Sequence, residues 1–205
     1  MLAVADGLGD EPSASAAEMV REKLAGIDTI AQHREIPELV RITRRLDCTV
    51  HDRKKDPGAD ESLGSTLLAV LIRSGKAHWV HVGDSRLYLF RNGTLRQITQ
   101  DQTLARFLVS EKHITPEQSQ THYSRCVMDQ YVGCGYAEPE TGTLQILDHD
   151  CVILSTDGLH KLIGHIEFAS ILNTSADIGT KAEKLVRAAL DAGGTDNITV
   201  VLMQS

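Results

Sequence analysis

The run STLLAVLIRSGKAHWVHVGDSRLYLFRNGTLRQI, residues 65–98, is apolar, β-branched and punctuated by turn residues. Thr66 to Arg73 reads as a strand, Ser74-Gly75 as a turn and Lys76 to Val82 as a second strand. Arg86 to Arg91 reads as a third. Asn92-Gly93 is a strong hairpin signal into a fourth at Leu95 to Ile98. The expectation is an antiparallel meander. On either side the pattern changes. Upstream, Leu2 to Ala5 reads as a short strand, followed by two helices. The first is capped by Ser13 or Ser15 and carries Ala16, Met19, Val20 and Leu24. The second runs from about Ile36 to His51. Downstream, Asp101 to Lys112 reads as a helix, and Pro116 to Gln120 as a short helical turn. Leu144 to Leu147 and Cys151 to Ser155 read as strands. Helices near Ile166 to Asn173 and Ile178 to Asp191 follow, then a last strand, Ile198 to Met203. Strands in runs, with helices in pairs before and after, predict an α+β fold of packed antiparallel sheets covered by helices.

A chain of 205 residues suits one domain and buries roughly 70% of the surface its unfolded form exposes. It therefore needs no disulfide or structural metal to fold. Its net charge of −7 argues against nucleic-acid binding, which needs Lys and Arg to neutralise phosphates. Cys48, Cys126, Cys134 and Cys151 form no Cys-x-x-Cys pair, and the reading is four reduced thiols in a cytoplasmic protein. No apolar run approaches the ~20 residues of a membrane span, and no signal peptide is legible. The glycine-rich stretches match neither Gly-x-x-x-x-Gly-Lys nor Gly-x-Gly-x-x-Gly.

Four aspartates stand beside glycines at the ends of expected strands. Asp6, Asp84 and Asp157 directly follow apolar runs, and Asp196 precedes the last one. A carboxylate at a strand end is held rigidly, and glycines let backbone stay close to a ligand. Several such carboxylates on one fold suggest a site for hard cations, which prefer oxygen.

Six short motifs carry a resemblance: Asp6-Gly7-Leu8-Gly9, Gly64-Ser65-Thr66, Gly83-Asp84-Ser85-Arg86, Thr99-Gln100-Asp101, Ser155-Thr156-Asp157-Gly158-Leu159 and Gly193-Gly194-Thr195-Asp196-Asn197-Ile198-Thr199-Val200. In this order and at these spacings the chain resembles the PPM family, the metal-dependent protein serine/threonine phosphatases of type 2C, in their compact bacterial form. The resemblance implies a β-sandwich of two antiparallel sheets flanked by helices, in α-β-β-α layers. It implies one domain over residues 1–205, with a flap-like region at 113–143 beside the substrate. It also implies two Mg2+ or Mn2+ ions. Asp6 would bridge them, the Gly7 carbonyl would bind one, and Asp157 with Asp196 would hold the other. Asp101, with Asp157, would bind a third, looser ion. Phosphoserine or phosphothreonine on a protein opposing a Ser/Thr kinase would be the substrate. Asp6, Asp157 and Asp196 would act through a metal-activated water. Two divalent ions roughly 3.5–4 Å apart acidify such a water and clamp the phosphoryl group, so no nucleophilic Ser or Cys is required.

The sequence also departs from that pattern. It begins at the Asp-Gly strand, so the family's preceding strand pair, with its phosphate-gripping arginine, is not expected in it. Asp10 stands where a glycine is usual, and Leu8 where some members carry a histidine acid. A second reading is therefore a phosphatase-like regulatory module that binds without turnover. A two-metal nuclease is disfavoured by the charge and by only 4% aromatics.

Other residues read more plainly. Asp84 organises a turn, Arg86 is an ion-pair partner, His160 is a surface histidine at a helix start and Trp79 packs the core. Asp101 competes with Thr99 as the cap of the following helix. His78 and His81 lean to opposite faces of their strand. The cluster Arg41, Arg44, Arg45, Arg53, Lys54 and Lys55 is a solvated helix face and loop.

Overall fold

The computed structural model describes residues 1–8, 14–27, 29–119 and 121–205. Ser13, the side chain of Ser15, Gly9 and Asp10 lie outside what is described, and with them the capping reading and the Asp10 departure. Among the described residues, β1 (Leu2–Val4), β2 (Leu67–Arg73), β3 (Lys76–Val82) and β6 (Glu140–Gln145) form one antiparallel sheet in the order β1-β2-β3-β6. The strands β4 (Arg86–Arg91), β5 (Thr94–Gln97), β7 (Cys151–Ser155) and β8 (Val200–Gln204) form the other, in the order β5-β4-β7-β8.

Strand alternation explains the layers. In β2, Leu67 and Ala69 face helices α1 (Ala14–Ala25) and α2 (Glu35–Arg53), while Leu68 and Val70 face the other sheet. In β7, Cys151 and Ile153 face helices α6 (His165–Leu172) and α7 (Ile178–Asp191), while Val152 and Leu154 face inward. Strands buried on both faces read as nearly continuous apolar runs, and β2 and β7 do. Leu39, Leu46 and Val50 of α2, spaced for one helical face, close the outer layer on the first sheet. The result is the expected α-β-β-α sandwich. Trp79 packs between the sheets, as read from sequence.

Three local expectations are corrected. The strands of residues 65–98 are not one meander, because β3 and β4 belong to different sheets. Gly83 turns the chain between them at φ +107°, where a Cβ would lie 2.8 Å from the Thr66 Cγ2. The strand expected at Leu144 to Leu147 is β6, displaced upstream to Glu140–Gln145 by pairing with β3; Gly142 leaves room there for the Trp79 ring. The helix expected from Asp101 is α3 (Leu104–Ser110), capped by Thr103, whose Oγ1 accepts from the Arg106 N–H. Neither Thr99 nor Asp101 caps it. Asp101 is held elsewhere, by Arg86. The short turn near Pro116 is α4 (Pro116–Ser119), followed by a 3-10 turn at Tyr123–Cys126.

Candidate active site

The six motifs meet at one end of the sandwich, and backbone hydrogen bonds explain how. The Asp6 N–H donates to Thr66 Oγ1 at 3.0 Å, and the Asp6 carbonyl accepts from the Thr66 N–H at 2.8 Å and from Ser65 Oγ at 3.0 Å. Gly64-Ser65-Thr66 therefore clamps the Asp6 backbone from both sides. Thr66 Oγ1 lies 2.7 Å from Ser85 Oγ, which ties the clamp to the corner carrying Asp84. The Leu8 N–H donates to the Gly64 carbonyl, and a Cβ on Gly64 would strike Leu8 and Tyr131 at 2.7 Å. On the second sheet, Asp157 opens a one-turn helix, α5 (Asp157–His160). The loop 193–199 lies directly on it. A Cβ on Gly158 would come within 2.4 Å of the Asn197 carbonyl oxygen, so only glycine lets the loop that carries Asp196 lie on α5. The Thr199 N–H donates to Thr156 Oγ1 and fixes that approach.

The assembled carboxylates repel one another. Burial, then the charges of Asp157, Asp196 and Asp84, push the Asp6 carboxyl up to about 7. Burial and then Asp157 push Asp84 up to about 6. Asp84 is only 7% exposed, so it is more than the turn organiser read from sequence: it belongs to the cluster. Asp157 behaves differently. Burial acts to raise it, but Lys161 pairs with its Oδ2 and leaves it below the usual carboxylate range. Lys161 Nζ also stands 3.9 Å from Asp84 Oδ2. Asp157 Oδ1 is buried and has no hydrogen-bond partner. Asp196 sits on the exposed rim, its Oδ1 accepting from the Asn197 N–H.

Crowded, buried carboxylates with an orphaned oxygen are what divalent cations satisfy. No three Asp, Glu, His or Cys side chains among the described residues close on a single point. Mg2+ and Mn2+ keep several waters and take few protein carboxylates.

Asp101 is engaged by a cation already. Arg86 Nε and Nη2 donate to its two oxygens at 2.7 and 2.6 Å, and Gln97 adds a third bond at 3.1 Å. The ion-pair reading of Arg86 holds. His160 is not the surface residue expected. It is half-buried, its Nδ1 lies 3.2 Å from Ser155 Oγ, and burial, then Arg86, push its imidazole down to about 3. The helix start was read, but α5 begins at Asp157, which puts His160 at its end beside Ser155 rather than on the surface.

Matching against known families places residues 1–192 in the protein phosphatase 2C model. The chain belongs to the protein phosphatase 2C family. Similar family members include protein phosphatase PhpP of Streptococcus pneumoniae, 32% identical over 99% of this chain and 85% of that protein. The crystal structure of the Mycobacterium tuberculosis serine/threonine phosphatase PstP/Ppp superposes with a TM-score of 0.89 at 30% identity, covering 100% of this chain and 88% of that one. The catalytic domain of PstP in complex with two manganese ions superposes at 0.84 and 30% identity, covering 98% and 85%. Protein phosphatase 2C membership makes the chain a metal-dependent serine/threonine phosphatase by family. The two-sheet α+β architecture is the one these neighbours share. Among the residues touching the acidic cluster, Lys161 was passed over in the sequence. Its spacing of four from Asp157 across a helix start was the available signal.

Proposed function

We propose that Asp6, the Gly7 carbonyl, Asp157 and Asp196 hold two divalent cations, Mg2+ or Mn2+, and that the chain hydrolyses phosphoserine and phosphothreonine on proteins there. The observation that carries this reading is the buried, unpartnered Asp157 Oδ1 inside a set of mutually repelling carboxylates. The two manganese ions of the PstP neighbour support the choice of metal. When bound, such ions supply the Lewis-acid charge that activates water and neutralises phosphoryl oxygens.

The chain's own residues do the rest. Thr66 and Ser65 hold Asp6 and Gly7 in place through the backbone, so little ordering is left for the reaction itself. Gly158 brings the loop of Asp196 against α5. The Arg86–Asp101 pair walls the pocket beside Asp84, and a third ion on Asp101 and Asp157 requires Arg86 to let go. His160, its imidazole pushed down by burial and then by Arg86, is a poor proton donor.

We read residues 1–205 as one domain and residues 113–143 as a flap beside the site. A phosphoprotein substrate implies an opposing Ser/Thr kinase. The four cysteines are unpaired and no described helix is long and apolar enough to cross a membrane, which supports a cytoplasmic setting. Asp157→Asn tests the site. Mn2+-dependent hydrolysis of a small aryl phosphate should fall by more than the roughly 10–100-fold that loss of an outer-shell partner costs. Activity left intact would overturn the assignment.

A further inference from the structure

A cleft of about 1050 Å³ runs from Asp84 along α3, α4 and the 3-10 turn. It is too large for a phosphoryl group alone and compares with pockets that enclose a drug-sized ligand. Four of its wall residues are cationic: Arg86, Arg106, Arg125 and Lys161. Two are already neutralised, Arg86 by Asp101 and Lys161 by Asp157. Arg106 and Arg125 are exposed, and neither makes a salt bridge among the described residues. They come from separate elements, α3 and the 3-10 turn, which pack on each other. Arg106 lies close enough to Glu140 to help lower its carboxyl, but neither guanidinium is held in a salt bridge, and both line one cleft in a chain of net charge −7. Val109 and Pro116 supply apolar wall between them.

We propose that this cleft is a specificity site for the peptide around the phosphorylated residue, and that Arg106 and Arg125 select substrates with Asp or Glu flanking it. The inference rests on the phosphatase reading above and deepens it. A guanidinium is matched by a carboxylate in a forked, two-bond geometry, which an ammonium does not offer. Arg106 stands on α3, and Arg125 is carried by the turn from Tyr123 to Cys126. Neither is on the motif loops that hold the acidic cluster, so both meet flanking residues.

The test compares phosphothreonine peptides that differ only in flanking residues, Asp and Glu against Lys and Arg. The full chain is assayed with Mn2+, by kcat/KM and by peptide Kd from fluorescence anisotropy. Acidic flanks should be favoured about three- to tenfold, the sum of two partly exposed ion pairs. The advantage should shrink as salt rises. Arg106→Glu with Arg125→Glu should invert the preference, and the milder Arg106→Gln with Arg125→Gln should bring it to parity. Equal handling of the two peptides by the unaltered chain overturns the proposal, as does a preference that survives charge reversal. Hydrolysis of a small aryl phosphate by the unaltered chain tests the phosphatase reading separately. If that fails, the anisotropy comparison still decides whether the cleft prefers acidic flanks.

Discussion

Among the described residues, Lys161 is the one cation in direct contact with the acidic cluster, bound to Asp157 and close to Asp84. An incoming divalent ion has to compete with that ammonium for Asp157. Lys161→Met therefore tightens Mn2+ binding to the metal-free protein, by about three- to tenfold for a half-exposed pair, read by titration calorimetry. The same change leaves Asp6, Asp84 and Asp157 with less compensation. The metal-free variant melts lower than the parent and gains more on Mn2+ addition. At this scale the grouping of Asp6 with Asp157 and Asp196 was legible, because a carboxylate beside glycine at a strand end is a local pattern. Asp84 stood among the acidic strand ends yet read as a turn organiser, and Asp101 as the partner of Arg86 was not legible. Each depends on which charge lies opposite across a corner.

Among elements, the loop at 132–137 is held by one buried side chain of α2. Asp47 accepts from the backbone N–H groups of Gly133, Gly135 and Ala137 at 2.7, 3.0 and 3.1 Å. Gly133 and Gly135 take φ +105° and +87°, which turns their N–H groups toward one carboxylate. Val132 in that loop exchanges two hydrogen bonds with Ser65, and Ser65 holds Asp6. Helix α2 thus reaches the candidate site through three hydrogen-bonded steps. Asp47→Ala strands three donors and should cost about 3 kcal/mol in urea denaturation. It should also weaken Mn2+ binding, because the Ser65 clamp loosens. Asp47 sits within the amphipathic pattern of α2, where sequence reading finds only a polar residue on a mixed helix. Element positions themselves were well read. The strands β3, β4 and β7 and helix α7 begin and end where expected. The errors fall at β6, where pairing with β3 overrides local apolar content, at α3, where Thr103 rather than Thr99 or Asp101 caps the helix, and at the one-turn α5.

Across the whole molecule, the end of the sandwich away from the cluster is joined by a second charged clamp. Arg91, closing β4, donates from Nε and Nη2 to Asp150 at 2.7 and 2.6 Å, and from Nη2 to the Gln145 carbonyl that closes β6. Asp150 also accepts from the Leu147 N–H, and its own N–H donates to Ser205 Oγ. One buried carboxylate, 1% exposed, therefore links the ends of both sheets and the C-terminal residue. The hydrogen bond from Arg91 holds Asp150 below its ordinary 3.8. A carboxyl depressed in the folded state contributes stability that is complete above the unfolded value and is lost as pH falls through the lower folded value. Melting temperature should therefore be insensitive to this clamp from pH 5 to 8 and drop below about pH 4. Asp150→Asn should lower it by roughly 5 °C at pH 7 and blunt the acid-side fall, by calorimetry.

Local order along the chain determined the family, the two-sheet class, most strand limits and the set of acidic turns that meet at one end of the sandwich. Those depend on periodicity, turn residues and short motifs, which act between near neighbours. The division of strands between sheets, the burial of Asp84, the pairing of Lys161 with Asp157 and the meeting of Arg106 and Arg125 at one cleft were decided only by the folded chain. Each of those is a matter of which charge or backbone group lies opposite another. Partners tens of residues apart meet through packing, and no pattern within a single segment encodes that meeting.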